Sequence, residues 1–227
     1  CSGPLESPDS MGVMAEKTLG LVAFSALECA PPQWERIEPN FWCSLAQQVI
    51  SQPNLGTLAR TGLVDLVPNS AFGGRRELVF AHRAIQEFYA AEWASQDESR
   101  LANVAREYWQ PKWHPVLKLL AGKIGEPLVR RIYPDAQHDN VLRSKLFLAV
   151  SCAAEAGVSE ALSHQLFQDL LAAREAIRPL DTLGAMVDLG TEESLSYVWN
   201  QVERCVREKS YVPITDERLS ALFYRDR

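Results

Sequence analysis

The sequence predicts a mainly α protein, a winged-helix module with a small β-hairpin followed by an α-helical, HEAT-like array. Three observations carry that expectation. Apolar residues recur at three- and four-residue steps over most of the 227 residues. Two short apolar runs, Leu63 to Val67 and Leu78 to Phe80, break the pattern on either side of a turn-rich stretch containing Gly73-Gly74. Beyond His82 every segment reads as helix, with capping residues at the boundaries.

Residues 1–13, rich in Ser, Pro and Gly, read as a linker, and the opening at Cys1 without a Met reads as the start of a fragment. The winged-helix domain is assigned to 14–96 and the helical domain to 97–227. In the first, Met14 to Leu27 suits a largely buried helix that Pro31-Pro32 ends, and Phe41 to Ile50 a second one bounded by Pro53 and Gly56. The run Leu63 to Val67, stopped by Pro68, and the run Leu78 to Phe80 form two strands, and Asn69 to Glu77 is too long for a two-residue hairpin turn.

Helices are then predicted at Arg83 to Ser95, Glu98 to Tyr108, His114 to Ala121, Pro127 to Tyr133 and Asp139 to Ala156. They continue with Ser159 to Ile177, Asp181 to Leu189, Glu192 to Lys209 and Asp216 to Tyr224. Asp139, Ser159, Thr191 and Thr215 sit where N-caps belong, and Gly157 and Gly190 where helices stop. No clean repeat period is present, so the likeness to HEAT repeats is architectural only.

Composition narrows the function. With 47% hydrophobic and 23% charged residues the chain reads as globular. A net charge of -6, from 23 Lys+Arg against 29 Asp+Glu, argues against broad capture of nucleic acid or anionic membrane. No apolar run reaches the roughly 18 to 20 residues that span a bilayer. Five cysteines, Cys1, Cys29, Cys43, Cys152 and Cys205, are widely spaced and form no zinc pattern, which suits reduced, inert thiols in the cytoplasm. Nucleophile elbow, H-E-x-x-H and paired-Cys motifs are absent, as is a G-x-x-x-x-G-K-(S/T) loop. Together these point to a chain without catalysis of its own and without a metal.

The most specific stretch is Phe80-Ala81-His82-Arg83-Ala84-Ile85-Gln86-Glu87-Phe88-Tyr89-Ala90-Ala91. It resembles the winged-helix signature of NACHT-type STAND signalling ATPases, approximately F-x-H-x-(S/T)-F-Q-E-(F/Y)-x-A-A. Phe80, His82, Gln86, Glu87, Phe88, Ala90 and Ala91 match, whereas Ala84 and Ile85 replace the family's hydroxyl and aromatic residues. Leu58 to Val64 is similar to the family's approach to the hairpin, and Trp113 to Gly122 to a helix that often follows in bacterial members. The likeness covers about Gly56 to Gly122.

The resemblance implies a regulatory module whose ATP-hydrolysing core lies upstream of Cys1. ADP or ATP would be bound mainly by that upstream nucleotide-binding domain. A protein trigger or effector is the further partner, and oligomerisation of the longer protein stays open. Family context includes phage defence and innate immunity.

The motif also has a reading of its own. On a helix advancing about 100° per residue, His82, Ile85, Phe88, Tyr89 and Trp93 share one arc, and Arg83, Gln86, Glu87 and Ala90 the other. Phe80, Ile85, Phe88 and Tyr89 then read as core. His82 opens the helix among unpaired N–H groups at the positive end of its dipole, a place that favours phosphate, and a neutral imidazole there can donate to a phosphate oxygen. The resemblance implies that His82 meets the β-phosphate of ADP in a closed state. A His that caps the helix or packs beneath the wing is the alternative. Gln86 and Glu87 either hold neighbouring elements or form a polar stripe.

Arg75-Arg76 at the wing tip reads as solvated, and Trp109, Trp113 and His114 as stacked at a junction or lining a pocket. His138-Asp139 and His164, without partners at metal or triad spacing, read as surface residues. Two other functions compete with the nucleotide switch. One is a helical scaffold that binds protein with no nucleotide role. The other, DNA reading by the winged helix, is disfavoured because Phe41 to Gly62 contains one basic residue, Arg60, and residues 1–110 carry net charge -5.

Overall fold

The computed structural model describes residues 8–29, 58–69, 75–176 and 179–208, which are mainly helical with one two-stranded antiparallel sheet. The helices expected at Phe41 to Ile50 and at Asp216 to Tyr224, with the cap expected at Thr215, lie outside the described residues, as do the side chains of Arg75 and Arg76. Two compact units form, residues 1–120 and 121–227.

In the first unit α1 (Pro8–Cys29) begins inside the expected linker, so residues 8–13 are helical. Proline is tolerated in a first helical turn, where its missing N–H has no partner to lose. Leu19, Val22, Ala23, Phe24, Ala26 and Leu27 are buried, each large one stabilising by about 1.5–3 kcal/mol. After a helical turn at 58–60, Gly62 takes a left-handed φ of 72°, and the chain enters the hairpin β1 (Val64–Asn69) and β2 (Arg75–Phe80). Thr61 fastens the approach, its hydroxyl donating to the Leu58 carbonyl at 2.6 Å and accepting the Leu63 N–H at 3.2 Å.

The strands pair Val64 with Phe80 and Pro68 with Arg76. Pro68 therefore lies within a strand it was expected to end. Among the described residues the sheet has two strands, so both are edges, and an edge strand tolerates a residue that cannot donate.

From β2 the chain passes into α2 (Arg83–Ser95), and α3 (Glu98–Arg106) follows, capped by Asp97, whose carboxylate accepts the N–H groups of Ser99 and Arg100. The expected domain boundary near residue 96 thus falls inside the first unit. Trp113 closes that unit, its ring 5.3 Å from the ring of Phe24, while Lys112 Nζ donates to the Glu28 carbonyl at the end of α1.

Helix α1 packs on α2 through small residues. A Cβ on Gly20 would sit 3.0 Å from Trp93 Cβ and 3.3 Å from the Tyr89 carbonyl oxygen. Ala90, Ala91 and Ala94 are accordingly buried.

Helix α4 (His114–Ile124) leads into the second unit, which comprises α5 (Glu126–Ile132), α6 (Ser144–Ala156), α7 (Glu160–Ala176), α8 (Pro179–Leu189) and α9 (Glu192–Arg207). Helix α8 packs against α6, α7 and α9, with Leu183 and Met186 fully buried and Leu146, Leu166 and Leu170 beside them in the core. Thr191 caps α9 by accepting the Ser194 N–H, and Ser159 Oγ accepts the Leu162 N–H. Gly157 and Gly190 take the left-handed conformation after α6 and α8.

The start of α6 differs from expectation. It is capped by Arg143 in a left-handed conformation, φ 56°, and Asp139 lies outside the helix. Asp139 still serves its first turn, its two carboxylate oxygens accepting the N–H groups of Lys145 and Leu146 at 3.0 Å each. Among the described residues no helix is long and apolar enough to cross a membrane.

Candidate functional site

The site singled out by the sequence is the start of α2. The Ala81 N–H donates to the Leu63 carbonyl at 3.0 Å, closing the hairpin base immediately before His82. His82 is extended, φ -148° and ψ 144°, and forms the N-cap. Its carbonyl accepts the Ile85 N–H, and its ring Nδ1 accepts the Ala84 N–H at 3.1 Å.

That bond decides the ring's chemistry. A nitrogen that accepts an amide N–H carries no proton, so a neutral His82 holds its proton on Nε2. The ring is exposed, which leaves Nε2–H as a donor beside the positive end of a helix dipole.

The rest of the motif is arranged differently from the expected arcs. Gln86 is buried, with 7% of its surface exposed, and its Nε2 has no hydrogen-bond partner among the described residues. Glu87 pairs with Arg83, Arg83 Nε to Glu87 Oε1 at 2.7 Å. Phe80 is core, Ile85 and Tyr89 are half-buried, and Phe88, expected in the core, is 48% exposed. The close approach of α1 at Gly20 explains the inversion. A helix pair in near-backbone contact selects alanines for its seam and turns large side chains outward.

Other flagged residues are scattered. Trp113 lines a cleft of about 330 Å³ with Phe24, Glu28, Asn103 and Lys112. Trp109 is 57% exposed and belongs to no aromatic stack among the described residues. His114 Nε2 lies 2.7 Å from the Tyr108 carbonyl. His138 and His164 are exposed, yet each meets a carboxylate, Asp135 at 2.7 Å and Glu193 at 2.9 Å. Cys152 is buried and Cys205 half-buried. Among the described residues no three His, Cys, Asp or Glu side chains gather as a metal site.

Local spacing missed two long-range features. The Tyr133 hydroxyl donates to Asp169 Oδ2 at 3.0 Å, and burial pushes the acid dissociation of both groups upward. Arg174 of α7 lies over the Tyr197 ring of α9 and donates to the Tyr197 hydroxyl and to Gln201 Oε1. Partners 23 to 36 residues apart leave no signal in a helical period.

No family model, curated protein or solved structure matches this chain.

Proposed function

We propose that the chain is a non-catalytic regulatory segment of a nucleotide-switched ATPase of the NACHT type, in which His82 holds a closed state by donating to a phosphate oxygen of ADP. The supporting observation is the hydrogen bond from the Ala84 N–H to His82 Nδ1, which puts the ring proton on the exposed Nε2. A neutral donor at a helix N-terminus suits a phosphate oxygen, and the nearby Glu87 carboxylate is engaged by Arg83. The base and ribose of the nucleotide would be held by another domain.

The switch works by differential contact. A ligand stabilises the closed state only through interactions which that state alone offers. A charge-assisted bond of about 1.5–3 kcal/mol shifts the population about ten- to hundredfold.

The test is His82→Asp in the ATPase-containing protein that this reading requires. Aspartate keeps an acceptor for the Ala84 N–H, so the helix start survives, but it removes the donor and places a negative charge beside the phosphate. Faster ADP release and raised basal activity are expected. Unchanged ADP retention sinks the reading.

A protein-binding scaffold is the second reading, favoured by Val141 and Leu142, which are 80% and 51% exposed. Partner binding that is indifferent to ADP and ATP selects it.

A further inference from the structure

A groove of about 230 Å³ runs between α1 and α2, and the motif residue Phe88 stands on it. Clefts for drug-sized ligands span about 300–1,000 Å³, so this one takes a single long side chain. Its walls are aromatic, formed by Phe88, Tyr89 and Trp93. Phe88 and Tyr89 meet edge to face, centroids 5.4 Å apart at 82°. Gly20 lies beside them.

The groove lining carries one more acid than base. Glu16 and Glu92 line the groove against one base, Lys17. The influence of Glu16 reaches the aromatic wall, since burial and then the Glu16 carboxylate hold the Tyr89 hydroxyl above its ordinary acid-dissociation range. One of the rings already carries a cation within the fold. The Arg100 guanidinium lies 4.0 Å from the centroid of Trp93, with Nη1 donating to the Trp93 carbonyl.

We propose that this groove docks a lysine or arginine side chain presented by a partner protein, its aliphatic stem lying along Phe88 and Tyr89 and its charged head facing Glu16 and the aromatic wall. Aromatic faces attract cations, and long basic side chains bring an apolar stem of their own. A polypeptide, more than a free small cation, suits the rim. Phe88 keeps nearly half its surface outside the core, an apolar contact for the residues that flank the basic one. Docking here does not depend on a nucleotide at His82.

The test is an NMR titration of the isotopically labelled chain with acetyl-Leu-Arg-Leu-Arg-Leu-amide. Saturable shifts of the Phe88, Tyr89 and Trp93 ring resonances are expected, with affinity that falls as salt rises. Phe88→Ser and Glu16→Lys should each weaken binding at least fivefold in a chain that circular dichroism shows to be fully folded under the titration conditions. The peptide with Glu in place of Arg should bind at least fivefold more weakly. Equal binding of that peptide, no binding at millimolar concentration, or full affinity in both variants overturns the proposal. Tetramethylammonium binding as tightly as the peptide also overturns it, in favour of a small-cation pocket.

Discussion

The hydroxyl of Tyr133 and the carboxylate of Asp169 meet at 3.0 Å across 36 residues, tying the end of α5 to α7. Tyr133 is 1% exposed. Tyr133→Phe preserves the ring and removes the donor, leaving a partly buried carboxylate short of a partner. A loss of about 1–3 kcal/mol is expected, read from urea unfolding. An unchanged midpoint would show that water replaces the hydroxyl at no cost.

The pH dependence follows from opposing carboxyl groups. Asp169 is held above its usual range, first by burial, so the folded state binds its proton more tightly than the unfolded chain does. It therefore adds stability at acid pH that is lost as pH rises through its folded value. Asp97 is lowered chiefly by the Ser99 hydroxyl, Glu126 by the Ser159 N–H and Asp135 by His138. Their stabilisation is present above the unfolded carboxyl range near pH 4 and is lost as pH falls through their folded values. Urea midpoints at pH 3, 5 and 7 should fall on acidification. Asp169→Asn should gain more over wild type at pH 7 than at pH 3, and an equal change at both would remove Asp169 as the source.

Gln86→Met should raise stability by about 1–3 kcal/mol, because it replaces a buried amide whose Nε2 has no partner among the described residues with an apolar side chain of similar length. Thermal unfolding reads the shift. A destabilised variant would mean that the amide has an acceptor in solution.

Asp139→Ala withdraws the acceptors of two first-turn N–H groups of α6, from Lys145 and Leu146. A cost of about 1–2 kcal/mol is expected, with less for Asp139→Asn, which keeps one acceptor. Equal effects of the two substitutions would show that only the charge matters.

These sites mark where the sequence was readable. The span of α2, Arg83–Ser95, follows from a periodic stretch bounded by the hairpin, and Thr191 and Gly157 announce their helix ends through local chemistry. His82 was legible as a helix-opening residue for the same reason. The buried face of α2 was not. Hydrophobicity ranks Phe88 above Gln86 and Ala90, but the approach of Gly20 on another helix decides which of them the core can hold. Asp139 was recognisable as a cap, yet its place outside α6 depends on the left-handed turn at Arg143, which the residue type does not signal. Pairs such as Tyr133 with Asp169 arise only once helices meet.

Glu126 Oε2 accepts the Ser159 N–H at 2.8 Å, joining the starts of α5 and α7 across 33 residues. The contact lies at the surface, so hydrogen exchange at the Ser159 amide reads how long this one carboxylate stays in place, a local latch between two helix starts.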